Sequence, residues 1–103
     1  MMNEVDYIVA ELSVCEKRIL KIIGRINASP NKNFHRITVH KKARNEELPY
    51  VDSILGNFLH KGLIRYYRAP DNFATTHLGF KVAQRLKEED YNNKYPGMRI
   101  IRR

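Results

Sequence analysis

Apolar positions recur at helical spacing along most of this chain and switch to a strand-like pattern once. Val5, Ile8, Val9 and Leu12 fall at i, i+3, i+4 and i+7, which predicts a short amphipathic helix over about Asn3 to Glu11. Ser13 and Glu16 stand in capping-box order. A second helix follows, with Ile19, Leu20, Ile22, Ile23 and Ile26 inward and Lys17, Arg18, Lys21 and Arg25 toward solvent. Asn27 to Asn33 has loop composition. Phe34 to Ile37 predicts a short strand. Thr38 is the expected N-cap of a short helix over Val39 to Arg44, with Val39 and Ala43 facing the core and Asn45 closing it in a left-handed conformation.

The stretch from Glu46 to Arg68 organises the rest. Glu46-Glu47-Leu48 reads as a turn with Leu48 beneath it. Pro49 suits a first helical turn, where its missing N–H costs nothing. Val51, Leu55, Phe58 and Leu59 make one stripe, and Gly62 suits the left-handed residue that ends a helix. Leu63 to Arg68 is rich in strand formers. Ala69-Pro70-Asp71-Asn72 predicts a turn, and Phe73-Ala74-Thr75 a returning strand. Of Tyr66 and Tyr67, alternation predicts one in the core and one exposed. Thr76 caps a last helix from His77 to about Glu89, with Leu78, Val82, Ala83 and Leu86 inward. Tyr91 to Arg103, with Pro96-Gly97, lacks a helical period and predicts a flexible tail. The fold class is therefore mainly α with a small β-hairpin (α+β).

Charge narrows the picture. The 103 residues hold 19 Lys and Arg against 11 Asp and Glu, net +8. Residues 1–12 carry three acids and no base, 13–45 carry nine bases against Glu16 alone, and 91–103 carry four bases and no acid. A basic excess focused in this way points to a polyanion. No apolar run approaches the roughly 20 residues that span a membrane. The acidic start lacks the basic region of a secretory signal, and one cysteine allows no intrachain disulfide, so a cytoplasmic protein is expected.

The spacing Val51, Leu55, Phe58, Gly62, Leu63, a hairpin, then Thr76-x-x-Gly79-x-x-x-Ala83-x-x-Leu86 resembles the winged helix-turn-helix superfamily over about residues 13–87. Within it the chain is most similar to the N-terminal winged-helix domain of RIO-type kinases. The leading helix at Val5–Leu12, Leu48-Pro49-x-Val51 and Thr76-x-x-Gly79-Phe80-x-x-Ala83 carry that likeness, with Thr75 where an apolar residue is usual. The resemblance implies a winged-helix domain over 1–90 and a basic flexible tail over 91–103. No kinase domain is expected after Arg103.

In a helix-turn-helix the second helix of the motif enters the major groove. That assigns Tyr50, Ser53, Asn57 and His60 to base or phosphate contact, Asn57 being suited to adenine. Glu46, Glu47 and Asp52 oppose phosphate there. Cations are expected from Arg36, His40, Lys41, Lys42 and Arg44, from Lys61, and from Arg65 and Arg68, the last two on opposite strand faces. Six of them on phosphates give a log–log salt slope of about −5. Tyr67, Phe73 and Tyr91 also allow base stacking on RNA, and Tyr91, Tyr95, Lys94, Arg99, Arg102 and Arg103 a basic arm. Catalysis has little support: Cys15 lies in a capping turn, His35, His40, His60 and His77 lack metal-ligand spacing, and the five glycines form no phosphate loop. The expectation is a non-enzymatic, cofactor-free regulator of double-stranded DNA. The alternatives are an RNA-associated winged helix and a protein-interaction module, with a homodimer through the first helix.

Overall fold

Two capping boxes in succession start the fold. In the computed structural model, which describes residues 3–26 and 33–94, Asp6 N–H donates to Asn3 Oδ1 at 3.0 Å and Asn3 N–H to Asp6 Oδ2 at 3.4 Å, opening α1 (Glu4–Glu11). Ser13 and Glu16 exchange the same bonds at 3.0 and 3.1 Å and open α2 (Val14–Ile26). Each box satisfies donors that a helix start leaves orphaned. After β1 (Asn33–His35) come α3 (Arg36–Lys42), a 3₁₀ turn (Leu48–Tyr50), α4 (Val51–His60), β2 (Ile64–Tyr67), β3 (Ala69–Thr75) and α5 (His77–Lys94). The described residues are mainly helical, with one small antiparallel sheet ordered β1-β3-β2.

The core joins every helix to that sheet. Ile19, Leu20 and Ile23 of α2, Val39 of α3, Val51, Ile54, Leu55 and Phe58 of α4, Phe73 of β3, and Val82 and Leu86 of α5 are buried together. Val9 of α1 and Leu12 just after it join them, with Val5 and Ile8 partly buried alongside. The α1 stripe expected to reach a second copy is thus covered within the chain, where α1 packs on α5 and Arg85 Nη2 lies 3.3 Å from Asp6 Oδ1.

The end of α4 and the start of α5 share one junction. Gly62 is left-handed (φ 74°), as expected, and turns the chain out of α4. The Thr76 hydroxyl reaches the carbonyls of Gly62 at 2.6 Å and Leu63 at 3.1 Å, and accepts the Gly79 N–H at 3.0 Å. The Thr76 N–H donates to the Leu63 carbonyl at 3.1 Å. Gly79 makes this approach possible, because a Cβ there would stand 1.8 Å from the Leu63 carbonyl oxygen. Thr75 beside it is 2% exposed and its hydroxyl has no hydrogen-bond partner.

Several expectations need correction. The helix α3 starts at Arg36, not after Thr38, because the His35 Nδ1 accepts the Ile37 N–H at 3.3 Å and caps it. The expected strand shrinks to Asn33–His35 for the same reason. Asn45 is not left-handed; among the described non-glycine residues only Arg68 is. The chain instead leaves α3 through an extended Ala43, and the turn is closed by the Glu47 carboxylate, which accepts the Arg44 N–H at 3.0 Å. The hairpin turns at Arg68 (φ 62°), not at 69–72. Tyr67 faces Ala69 while Tyr66 faces Phe73, so Pro70, Asp71 and Asn72 bulge from β3 against β2. A bulge is where a strand tolerates a proline, which has no N–H for the ladder. Neither Tyr66 nor Tyr67 enters the core: Tyr66 is exposed and Tyr67 half-buried. The helix α5 runs on to Lys94, through Tyr91. The expected loop over 27–32, and Tyr95, Pro96, Gly97, Arg99, Arg102 and Arg103 of the tail, lie outside the described residues.

Two pairs of variants test this account by urea denaturation. Gly79→Ala destabilises by about 3 kcal/mol or more through backbone overlap. Gly56→Ala, with nothing within 4 Å of the added Cβ, stabilises by about 0.5–1 kcal/mol. Thr75→Val removes a buried, unpaired hydroxyl and stabilises by about 1 kcal/mol, whereas Thr76→Val cuts the junction and destabilises by about 1–2 kcal/mol.

Candidate nucleic-acid interface

Burial of Val51, Ile54, Leu55 and Phe58 leaves Asp52, Ser53, Gly56, Asn57 and His60 on the outer stripe of α4, all exposed. Tyr50 stands at its start, 59% exposed. The stripe presents a carboxylate, a hydroxyl, an amide and an imidazole, so it can both donate and accept hydrogen bonds.

Asp52 is held from a neighbouring helix. Arg36 Nη1 donates to Asp52 Oδ1 at 2.7 Å, and His40 Nε2 donates to the same oxygen at 3.0 Å. Arg36 and His40 are four residues apart on α3 and so share a face. Arg36 Nε also donates to Asp71 Oδ1 at 3.1 Å, in the bulge of β3. Its guanidinium carbon lies 5.1 Å from the centre of the Phe73 ring, close enough for a cation–π contact. One guanidinium therefore ties α3, α4 and the hairpin together. Hydrogen bonds from His40 and then Arg36 hold the Asp52 carboxyl below the usual carboxylate range. The bond to Asp52 raises the Arg36 pKa further above its already high value.

The hairpin supplies a second cluster. Phe34, Phe73 and Tyr66 line up across the three strands, with ring centres 5.7 and 5.5 Å apart. Tyr66 covers Phe73 from outside and remains 58% exposed. Arg65 and Arg68 do not diverge as a regular strand would make them. Their guanidinium carbons lie 5.7 and 5.2 Å from the centre of the Tyr67 ring. The left-handed turn at Arg68 and the shifted register produce this convergence.

The remaining candidates divide. Lys41, Lys42 and Arg44 are exposed at the end of α3 and in the link beyond it. Among the described residues none of these three, nor Arg65 or Arg68, forms a salt bridge. Lys61 is half-buried, with its Nζ 3.3 Å from Glu11 Oε2. Glu47, counted from the sequence as part of an acidic approach to α4, is buried at 3% exposure. Sequence reasoning missed the acidic partners of Arg36. The i, i+4 placement of Arg36 and His40 was the available signal, but the Asp52 and Asp71 that answer it come from distant segments. Among the described residues no helix is long and apolar enough to cross a membrane. Cys15 is half-buried, and its thiol is pushed up by burial first and by Glu47 second.

The Asp52 contacts carry a pH signature. Its depressed pKa means that the stability it contributes is present above the ordinary carboxylate value, near 4, and is lost as pH falls below that value and through its own lowered one. Asp52→Asn should therefore cost under about 1 kcal/mol at neutral pH, as befits a carboxylate 64% exposed. The gap to the parent protein should close by acid pH, measured as paired urea midpoints across the range.

Comparison with protein families, with curated proteins and with solved structures finds no match to this chain.

Proposed function

We propose that this chain is a winged helix-turn-helix protein that grips the backbone of double-stranded DNA and presents α4 to the major groove. In this reading α2, β1, α3, α4 and the β2–β3 hairpin stand in the helix, strand, helix, helix, wing order of that fold, and the strand order β1-β3-β2 supports it. A small transcriptional regulator is the role such a domain fits.

The single observation that carries the reading is the position of Arg36. It sets the hairpin bulge beside the outer stripe of α4 and answers the charge of Asp52, the acid that most opposed phosphate at that helix. Arg36 and His40 then act as organisers of the face, and the phosphate grip falls to Lys41, Lys42, Arg44, Arg65 and Arg68. Tyr50, Ser53, Asn57 and His60 face the bases or sugars, with Lys61 at the edge. The rival protein-interaction reading is weakened because the apolar stripe of α1 is already covered by α5.

Fluorescence anisotropy with a short duplex at several salt concentrations tests this. If those five cations each neutralise one phosphate, the log–log slope is about −4.5. Joint Lys41→Glu and Lys42→Glu abolishes binding without unfolding the chain, while Asn57→Ala reduces discrimination at one base pair by about 1–3 kcal/mol. Binding that ignores salt, or survives the charge reversals, refutes the proposal; retained binding to a single-stranded RNA alone moves it to the RNA reading.

A further inference from the structure

Asp52 is the one acid of α4 and stands second in that helix. Its two oxygens are used unequally. Arg36 Nη1 at 2.7 Å and His40 Nε2 at 3.0 Å both donate to Oδ1, and Oδ2 receives no hydrogen bond among the described residues. Exposure is unequal as well. The Asp52 side chain is 64% exposed, whereas those of Arg36 and His40 are 28% exposed each. The two donors lie beneath the carboxylate and hold one of its oxygens, which leaves the other unanswered at the surface.

Two further facts distinguish this carboxylate from an ordinary tie between helices. First, Gly56 stands four residues after it, on the same outer stripe. Helical side chains lean toward the N-terminus, so the residue at i+4 covers the surface beside residue i. Glycine leaves that cover off, and nothing lies within 4 Å of the place a Cβ would take. The first turn of α4 therefore presents a bare carboxylate oxygen. Second, the hydrogen bonds from His40 and then Arg36 hold the carboxyl below its usual range. It is ionised at neutral pH, and an ionised carboxylate only accepts. Asp52 is thus a dedicated acceptor in the first turn of the helix, where a helix-turn-helix makes its base contacts.

We infer that Asp52 is a specificity-determining residue that reads cytosine, with Oδ2 accepting a hydrogen bond from the exocyclic amine in the major groove. The inference rests on the DNA reading proposed above. The base edges decide which base is chosen. Cytosine offers its amine as a donor, which suits a carboxylate. Guanine and thymine offer acceptors at that edge and repel it. Adenine sets an acceptor beside its amine, which suits the paired donor and acceptor of Asn57 better than a carboxylate. Rejection of the wrong bases by like charge therefore adds to attraction for the right one. Arg36 and His40 are positioning residues: they fix Oδ1, and Arg36 offsets the charge that phosphate would oppose.

The test is selection by the full chain from a pool of duplexes with a randomised core, followed by anisotropy on the selected duplex at fixed salt. The parent protein is expected to select cytosine at one position. It should lose about tenfold in affinity when that pair is changed to thymine–adenine, or when the cytosine is replaced by an analogue without its exocyclic amine. Asp52→Asn keeps an acceptor for Arg36 and His40 but turns the free oxygen into a donor. It should therefore move the preference to guanine or thymine at that position alone and leave the other positions unchanged. A carboxylate that only ties α3 to α4 would weaken all sequences alike. A uniform drop in Asp52→Asn thus overturns the inference and leaves the DNA reading in place. So does a cytosine preference that survives Asp52→Asn, indifference to loss of the amine, or duplex binding by the parent with no cytosine preference at any position. A pool that is not bound at all overturns both.

Discussion

The Thr76 hydroxyl is the contact on which the arrangement of the second half of the chain depends. It reaches the carbonyls of Gly62 and Leu63, in the link that leaves α4, and receives the Gly79 N–H in the first turn of α5. A single side chain thereby caps the start of α5 and ties it to the link after α4, whose own last carbonyls are taken by the N–H groups of Lys61, Gly62 and Leu63. The approach is possible only because residue 79 lacks a Cβ. With α5 fixed against Leu63, the β2 strand must leave α4 in one direction, and β3 must return to Thr75 beside it. The hairpin is aimed from this junction, although none of its tip residues touches Thr76.

Charge on the outer face is organised by opposition as well as by excess. Arg36 and His40 are committed to Asp52, and Arg36 also to Asp71. Ion pairs this exposed add little to stability, so their main effect is geometric. They hold three elements in register and leave other cations available. The aromatic row of Phe34, Phe73 and Tyr66 serves the same end from within the sheet.

Features that depend on neighbours in sequence were legible from the sequence. The Ser13–Glu16 box, the Gly62 stop, the Thr76 cap and the apolar stripes of α2, α4 and α5 each involve residues within one or two turns. Choices between competing local options were less so. Thr38 is a better general N-cap than His35, yet the pairing of Asn33 to His35 with β3 leaves His35 extended at the place where the helix begins. The Pro70-Asp71-Asn72 signal was genuine, but the chain expresses it as a bulge after a turn already made at Arg68. Least legible were contacts across long separations. That Arg36 meets Asp52 and Asp71, that Arg65 and Arg68 share Tyr67, and that Glu47 is buried beneath Arg18 all require the folded chain.

The left-handed backbone at Arg68 places a long cationic side chain where glycine or asparagine would sit more comfortably. Folding and electrostatic contact thus make opposite demands on this position. A smaller residue would relax the tip but remove a guanidinium from beside Tyr67. The hairpin tip therefore carries a built-in tension between ease of turning and the reach of its side chain.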